Sequence, residues 1–141
     1  MKGADSGFLY EVGLRAHNIT YNNCRFTSFQ SLHSEQVIFN DCYFDATTHQ
    51  GSPEYSIYSY DTLNVEVNRC NFLSYGKAVK IYSEGTASGA VFKFTDCNFM
   101  IEGAKAISNK AAIQVDSQYQ SDADPYKVYI TRCTQDKYEG G

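Results

Sequence analysis

The five cysteines of this 141-residue chain are candidates for chemistry, because thiolates bind metals and form disulfides. They recur at uneven intervals as Cys24, Cys42, Cys70, Cys97 and Cys133. This pattern lacks the closely paired cysteines of a zinc ribbon, and an odd count does not fit a closed disulfide framework. We predict reduced, buried packing residues, with disulfides between neighbouring cysteines as the alternative.

Histidines and clustered acids are the next residues that could support catalysis or metal binding. The histidines are His17, His33 and His49. None has a Cys or His at metal-ligand spacing, so we expect surface or loop roles for them. Asp116, Asp122 and Asp124 are close enough in sequence to suggest a calcium-holding cluster, but loop solubility also explains them. We therefore predict no catalytic residue, no metal site and no cofactor.

Tyrosines and two lysines are the candidates for contact with a ligand. A tyrosine ring has an apolar face and a polar tip, which suits sugar rings and protein surfaces. The candidates are Tyr55, Tyr58, Tyr60, Tyr75, Tyr82, Tyr119, Tyr126, Lys77 and Lys110. If both lysines point outward, they could hold an acidic sugar; neutralisation by nearby acids such as Glu102 and Asp116 is the alternative. Core packing is the alternative for the tyrosines, above all for Tyr58 or Tyr60.

An internal repeat positions these residues. Aligning the cysteines superposes five segments: residues 19–26, 37–44, 65–72, 92–99 and 128–135. Each has alternating apolar residues, a polar pair, Cys, a variable residue and Phe, except that Gln135 replaces the last Phe. Alternation predicts a strand with one buried face, and Cys-x-Phe predicts a second strand beyond a corner. The polar Gln135 is typical of a terminal capping repeat.

The corner between the two strands is predicted at Asn22, Asn40 and Asn68, because asparagine tolerates the left-handed backbone conformation. Thr95 and Thr131 take that place in the last two repeats, where a β-branched residue would be strained, so we expect another corner shape there. The residues before the cysteines are Asn23, Asp41, Arg69, Asp96 and Arg132. If they point outward, opposite charges alternate along the stack and oppose a slip in register.

Parallel stacking of the repeats is the predicted architecture. A spacing of about 4.8 Å would put the cysteines in one internal column and the motif phenylalanines, Phe26, Phe44, Phe72 and Phe99, in another. Residues 77–83 and 110–116 would supply a third strand to their repeats. The predicted fold class is all-β, a parallel β-helix (solenoid) of about five coils with three strands per coil.

Composition indicates one folded domain. A hydrophobic fraction of 43% with 12 Tyr and 9 Phe excludes a disordered chain. Within a single domain of residues 1–141, we expect a first coil or cap over 1–16, repeats over 17–135 and a tail over 136–141; a piece of a larger protein is compatible with this division. The net charge of −4 disfavours nucleic acid, and no apolar run approaches the roughly 20 residues of a membrane span.

Over residues 19–135, the strand, the Asn corner and Cys-x-Phe, with loops of unequal length, resemble the pectin-lyase-like right-handed parallel β-helix superfamily. The resemblance is strongest to non-catalytic β-helical segments of bacterial surface, adhesin-like proteins. It implies right-handed winding and an extracellular or cell-surface location. That superfamily also hosts lyases, glycoside hydrolases and phage tailspikes, so the fold alone does not choose an activity.

The predicted function is an adhesin-like, non-catalytic, secreted or cell-surface module that binds a glycan or a protein through its tyrosine-bearing lateral loops. A polysaccharide lyase or glycoside hydrolase fragment is the alternative, and a structural spacer is the second alternative. The expected partners are a polysaccharide or a protein of a host or cell surface. Unpaired strand edges at the ends of the stack would also permit end-to-end or lateral self-association.

Overall fold

The computed structural model describes residues 9–11, 18–26, 29–32, 35–46, 55–60, 62–74, 77–83, 89–101, 111–117 and 126–136. These residues form fifteen strands. In chain order they are β1 (Leu9–Glu11), β2 (Asn18–Asn22), β3 (Arg25–Phe26), β4 (Phe29–Leu32), β5 (Gln36–Asn40), β6 (Tyr43–Asp45), β7 (Tyr55–Tyr60), β8 (Asn64–Asn68), β9 (Asn71–Ser74), β10 (Lys77–Ser83), β11 (Val91–Thr95), β12 (Asn98–Ile101), β13 (Ala111–Ser117), β14 (Lys127–Thr131) and β15 (Thr134–Asp136).

The strands build three five-stranded parallel sheets. Sheet 1 has the order β1-β4-β7-β10-β13, sheet 2 the order β2-β5-β8-β11-β14, and sheet 3 the order β3-β6-β9-β12-β15. Each strand inside a sheet therefore pairs with the strands three before and three after it, and the chain enters the three sheets in a fixed rotation. The predicted all-β, parallel class is confirmed. The predicted strand over 77–83 is β10, and β13 begins one residue after the predicted 110–116.

The five sequence repeats pair in register. In sheet 2, Tyr21 is the Cα partner of Phe39, and the same row continues through Val67 and Phe94 to Ile130. Backbone hydrogen bonds keep that register past the corner, as the Tyr43 N–H donates to the Cys24 carbonyl at 2.9 Å. Length differences between repeats therefore fall outside the motif.

The motif phenylalanines form the predicted internal column. Ring centroids lie 5.1 Å apart between Phe26 and Phe44, 4.7 Å between Phe44 and Phe72, and 5.0 Å between Phe72 and Phe99. The rings are nearly parallel, at 16°, 5° and 12°, and all four side chains are buried. Burying a phenylalanine side chain contributes about 1.5–3 kcal/mol to the free energy of folding, so this column stabilises the packing of the sheets.

The cysteines form a second column beside it, and all five are free thiols. Cys42, Cys70 and Cys97 are buried, while Cys24 and Cys133 at the two ends are partly exposed. The buried thiols donate to backbone carbonyls; Cys97 Sγ lies 3.3 Å from the Val67 oxygen. Burial raises the pKa of Cys70 to about 12 and that of Cys97 to about 11. The thiols of the inner repeats are therefore protonated packing groups.

The corner differs from the prediction by one residue. The left-handed residue is the one directly before each cysteine, with φ of 52° at Asn23, 54° at Asp41, 53° at Arg69, 54° at Asp96 and 49° at Arg132. Thr95 and Thr131 instead end β11 and β14 in extended conformation, where a β-branched residue is favoured. The expectation of a different corner in the last two repeats is therefore wrong, because all five corners have the same backbone conformation.

The asparagines predicted for the corner have another role. Asn40 Nδ2 donates to Asn22 Oδ1 at 2.9 Å, and Asn68 Nδ2 donates to Asn40 Oδ1 at 3.0 Å. These three residues end β2, β5 and β8 at equivalent positions of sheet 2. Their side chains thus form an amide ladder that joins the first three repeats.

The predicted charge ladder is confirmed on the outside of the corners. Arg69 donates two hydrogen bonds to Asp41 at 2.7 and 2.9 Å, and Arg132 donates two to Asp96 at 2.6 and 2.8 Å. The hydrogen bonds from these guanidinium groups lower the pKa of Asp41 and of Asp96. The ladder favours the observed register, because a slip by one repeat would bring like charges together.

Candidate functional site

Sheet 1 carries the candidate site on its outer face. In β7, Ser56, Ile57 and Ser59 are buried, whereas Tyr58 and Tyr60 are partly exposed. The next strand, β10, pairs in parallel with β7 so that Lys80 lies beside Tyr58 and Tyr82 beside Tyr60. Residues in register on neighbouring strands share a face of the sheet, so Tyr58 and Tyr60 lie on the same face as Lys80 and Tyr82.

Four tyrosine rings lie close together there, and we call Tyr55, Tyr58, Tyr60 and Tyr82 the tyrosine patch. The Tyr60 and Tyr82 centroids are 5.3 Å apart, those of Tyr55 and Tyr58 are 5.8 Å apart, and Tyr58 lies 6.2 Å from Tyr60 and 6.4 Å from Tyr82. These separations are in the range of favourable aromatic pairs. The patch is therefore a packed group of rings on a rigid sheet.

Two lysines lie against the patch. The Lys80 ammonium lies 5.3 Å from the Tyr55 ring centroid, 5.4 Å from that of Tyr58 and 5.5 Å from that of Tyr82. Lys77 Nζ lies 5.5 Å from the Tyr55 centroid. Such cation–π contacts favour a cation that is partly removed from water. The Lys80 side chain is accordingly 18% exposed, and Lys77 is 8% exposed.

Asp116 completes the group from the next strand. It lies on β13 beside Tyr82 of β10, and its Oδ2 is 3.8 Å from Lys80 Nζ. Its side chain is 49% exposed, so its carboxylate meets solvent while the lysine largely does not. The outer face of sheet 1 thus presents aromatic rings and an accessible carboxylate.

The structure brings together five of the nine predicted contact residues: Tyr55, Tyr58, Tyr60, Tyr82 and Lys77. Tyr126 lies apart from them and packs edge-to-face on Phe92 at 6.0 Å, which fits the core-packing alternative. Tyr75, Lys110 and Tyr119 are outside the described residues. The histidines and Glu102, Asp122 and Asp124 are outside them as well.

The acidic-sugar hypothesis required both Lys77 and Lys110 to point outward, and Lys77 does not meet that condition. Lys77 is buried against Tyr55, and its Cα partner on β13 is Ala111. Asp116 was expected among the acids that neutralise Lys77 or in a calcium cluster, but it pairs with Lys80. Sequence reasoning missed Lys80, although the alternation of Lys80, Ile81 and Tyr82 already placed that lysine on the same strand face as a candidate tyrosine.

A second concave feature lies at the last repeat. It is a cavity of about 320 Å³ lined by Phe99, Ala112, Ile113, Ile130, Cys133, Thr134 and Gln135. Nearby apolar side chains are unusually open to solvent, with Ile130 59% and Val115 47% exposed. Within the described residues, β13, β14 and β15 each pair with one neighbour, so the inward side chains of this repeat lack a following layer.

Within the described ranges, no group of three or more His, Cys, Asp or Glu side chains is arranged to hold a metal ion. No helix among those residues has the length and hydropathy to cross a lipid bilayer. No family model matches the chain, and no curated protein or solved structure matches it either.

Proposed function

We propose that the protein is a right-handed parallel β-helix of about five coils, with three strands per coil, similar to the pectin-lyase-like superfamily. The fixed rotation of the chain through three parallel sheets supports this architecture, because one circuit of the sheets corresponds to one coil. We propose further that it is a non-catalytic, extracellular or cell-surface, adhesin-like module that binds a glycan through the tyrosine patch.

The observation that carries the proposal is the group of four tyrosine rings on the outside of sheet 1, which are connected by four ring contacts of 5.3–6.4 Å. Outward positions of a strand are usually polar, and a group of partly exposed aromatic rings on the outside of a sheet is typical of a recognition surface. The apolar face of a pyranose can pack on such rings while the phenol hydroxyls meet its polar edge. Because the rings project from paired strands, little ordering cost accompanies binding.

Direct binding tests the proposal. Titration calorimetry with a panel of soluble oligosaccharides is expected to give saturable binding by the full chain. Tyr82→Ala is expected to weaken this binding at least tenfold, which corresponds to the loss of an aromatic contact of about 1.4 kcal/mol or more. Tyr129→Ala is the matched control, because Tyr129 is a 52% exposed tyrosine on sheet 2, outside the patch. Tyr82→Phe, which keeps the ring, is expected to retain most of the affinity.

Three results would count against it. These are no binding at millimolar oligosaccharide, equal losses in Tyr82→Ala and Tyr129→Ala, and binding of a protein partner alone. Release of reducing ends or unsaturated sugars from polysaccharide would instead favour the lyase or hydrolase alternative, which requires a positioned base or two acidic groups at a set separation.

A further inference from the structure

We infer that the tyrosine patch selects neutral over acidic glycans, with the Asp116 carboxylate accepting sugar hydroxyls and the two lysines serving to hold the rings. This inference rests on the proposed function and names the ligand class of the same site.

The lysines are poorly placed to meet an acidic sugar. Lys77 is 8% exposed, and Lys80 is 18% exposed, with its ammonium within 5.5 Å of three ring centroids. A sugar carboxylate that paired with Lys80 would have to lose much of its hydration, which is unfavourable unless the new ion pair is fully compensated. The ammonium groups therefore stabilise the arrangement of the rings.

The charge next to Lys80 disfavours an anionic ligand as well. Asp116 Oδ2 lies 3.8 Å from Lys80 Nζ, so the positive charge that an acidic sugar would seek is already balanced. A second carboxylate there would lie beside Asp116 and be repelled by it. The net charge of −4 adds a weaker, salt-sensitive repulsion over longer distances.

The acceptors at this edge instead fit a donor-rich neutral sugar. The 3.8 Å separation is longer than an N–H···O hydrogen bond, so the 49% exposed Asp116 side chain keeps acceptor capacity toward solvent. A sugar with adjacent hydroxyls supplies donors to the solvent-facing carboxylate oxygens of Asp116.

Matched ligands separate the two glycan classes. The probes are tetrasaccharides of neutral hexoses and the corresponding uronic acid tetrasaccharides, titrated into the full chain at about 150 mM salt, where long-range repulsion is damped. At least one neutral probe is expected to bind ten or more times tighter than its uronic acid counterpart. Asp116→Ala is expected to weaken neutral binding about tenfold, while Asp136→Asn, an exposed acid on sheet 3, serves as the unchanged control.

The result that overturns the inference differs from the one that overturns the proposed function. Uronic acid probes that bind as tightly as neutral ones, with affinity still dependent on Tyr82, would leave glycan binding intact and reject the selectivity. Neutral binding unaffected by Asp116→Ala would reject the role of that carboxylate. Failure of every probe, with no effect of Tyr82→Ala, would reject glycan binding itself.

Discussion

The third repeat (residues 65–72) and the fifth (128–135) have the same backbone but opposite surroundings. Their corner residues, Arg69 and Arg132, have φ of 53° and 49°, and each arginine pairs with the aspartate of the preceding repeat. Yet the third repeat is buried at Cys70 and Phe72, whereas Cys133 is partly exposed and Gln135 is exposed. The local motif therefore determines conformation, and neighbours on both sides determine burial.

The first repeat shows that a repeat at the end of the sheets can still be shielded from solvent. Phe26 is 1% exposed although β3, within the described residues, pairs with a single strand, whereas Gln135, at the same motif position of the last repeat, is exposed. The two ends of the stack therefore differ. The last repeat, with Gln135 at the phenylalanine position, is less well packed than the first repeat.

The largest expected effect is on the core of the third repeat. Phe72→Ala removes a ring stacked between Phe44 and Phe99, and we expect a loss of about 3–5 kcal/mol in the free energy of unfolding. Gln135→Ala, at the same motif position of the fifth repeat, is expected to change it by less than about 0.5 kcal/mol. Urea unfolding followed by circular dichroism measures both, and similar losses in the two variants would refute the contrast.

The thiols give the next largest contrast. At pH 8 the native protein is expected to react with iodoacetamide at the partly exposed Cys24 and Cys133. The buried Cys42, Cys70 and Cys97 are expected to react at least about a hundredfold more slowly, because burial disfavours the charged thiolate, which is the reactive form. Mass spectrometry of peptides after timed labelling measures the rates. Equal labelling of all five cysteines before unfolding would contradict the buried column.

The same thiols predict how stability depends on pH. Burial raises the folded-state pKa of Cys70 to about 12 and of Cys97 to about 11, above the ordinary value of 9.0. Their protonated forms thus favour the native state fully below pH 9, and that contribution is lost as the pH rises through 9 toward 12. Cys70→Ala is expected to reduce this alkaline loss, as measured by urea unfolding at increasing pH.

Much of the core was predictable from the sequence, because a motif repeated five times, with Gln135 as the exception at the Phe position, fixes register once the strands are parallel. The columns of cysteine and phenylalanine follow directly. The left-handed residue was misplaced because side-chain preference pointed to Asn22, Asn40 and Asn68, whereas the backbone needed the turn one residue later, even at Arg69. The tyrosine patch was only partly predictable. Segments of irregular length separate β7 from β10 in the sequence, so the spacing of the residues did not show which tyrosines lie side by side.

The smallest expected effect tests whether the corner is set by the motif alone. Arg69→Val and Arg132→Val both put a β-branched residue at positive φ, which we expect to lower the melting temperature by roughly 3–6 °C in each case. Arg69→Gln and Arg132→Gln remove the ion pairs without β-branching and are expected to have smaller effects. Thermal unfolding of the four variants compares the repeats. If valine is costly at residue 69 and harmless at residue 132, the open repeat relaxes its corner, and conformation would then depend on burial as well as on the motif.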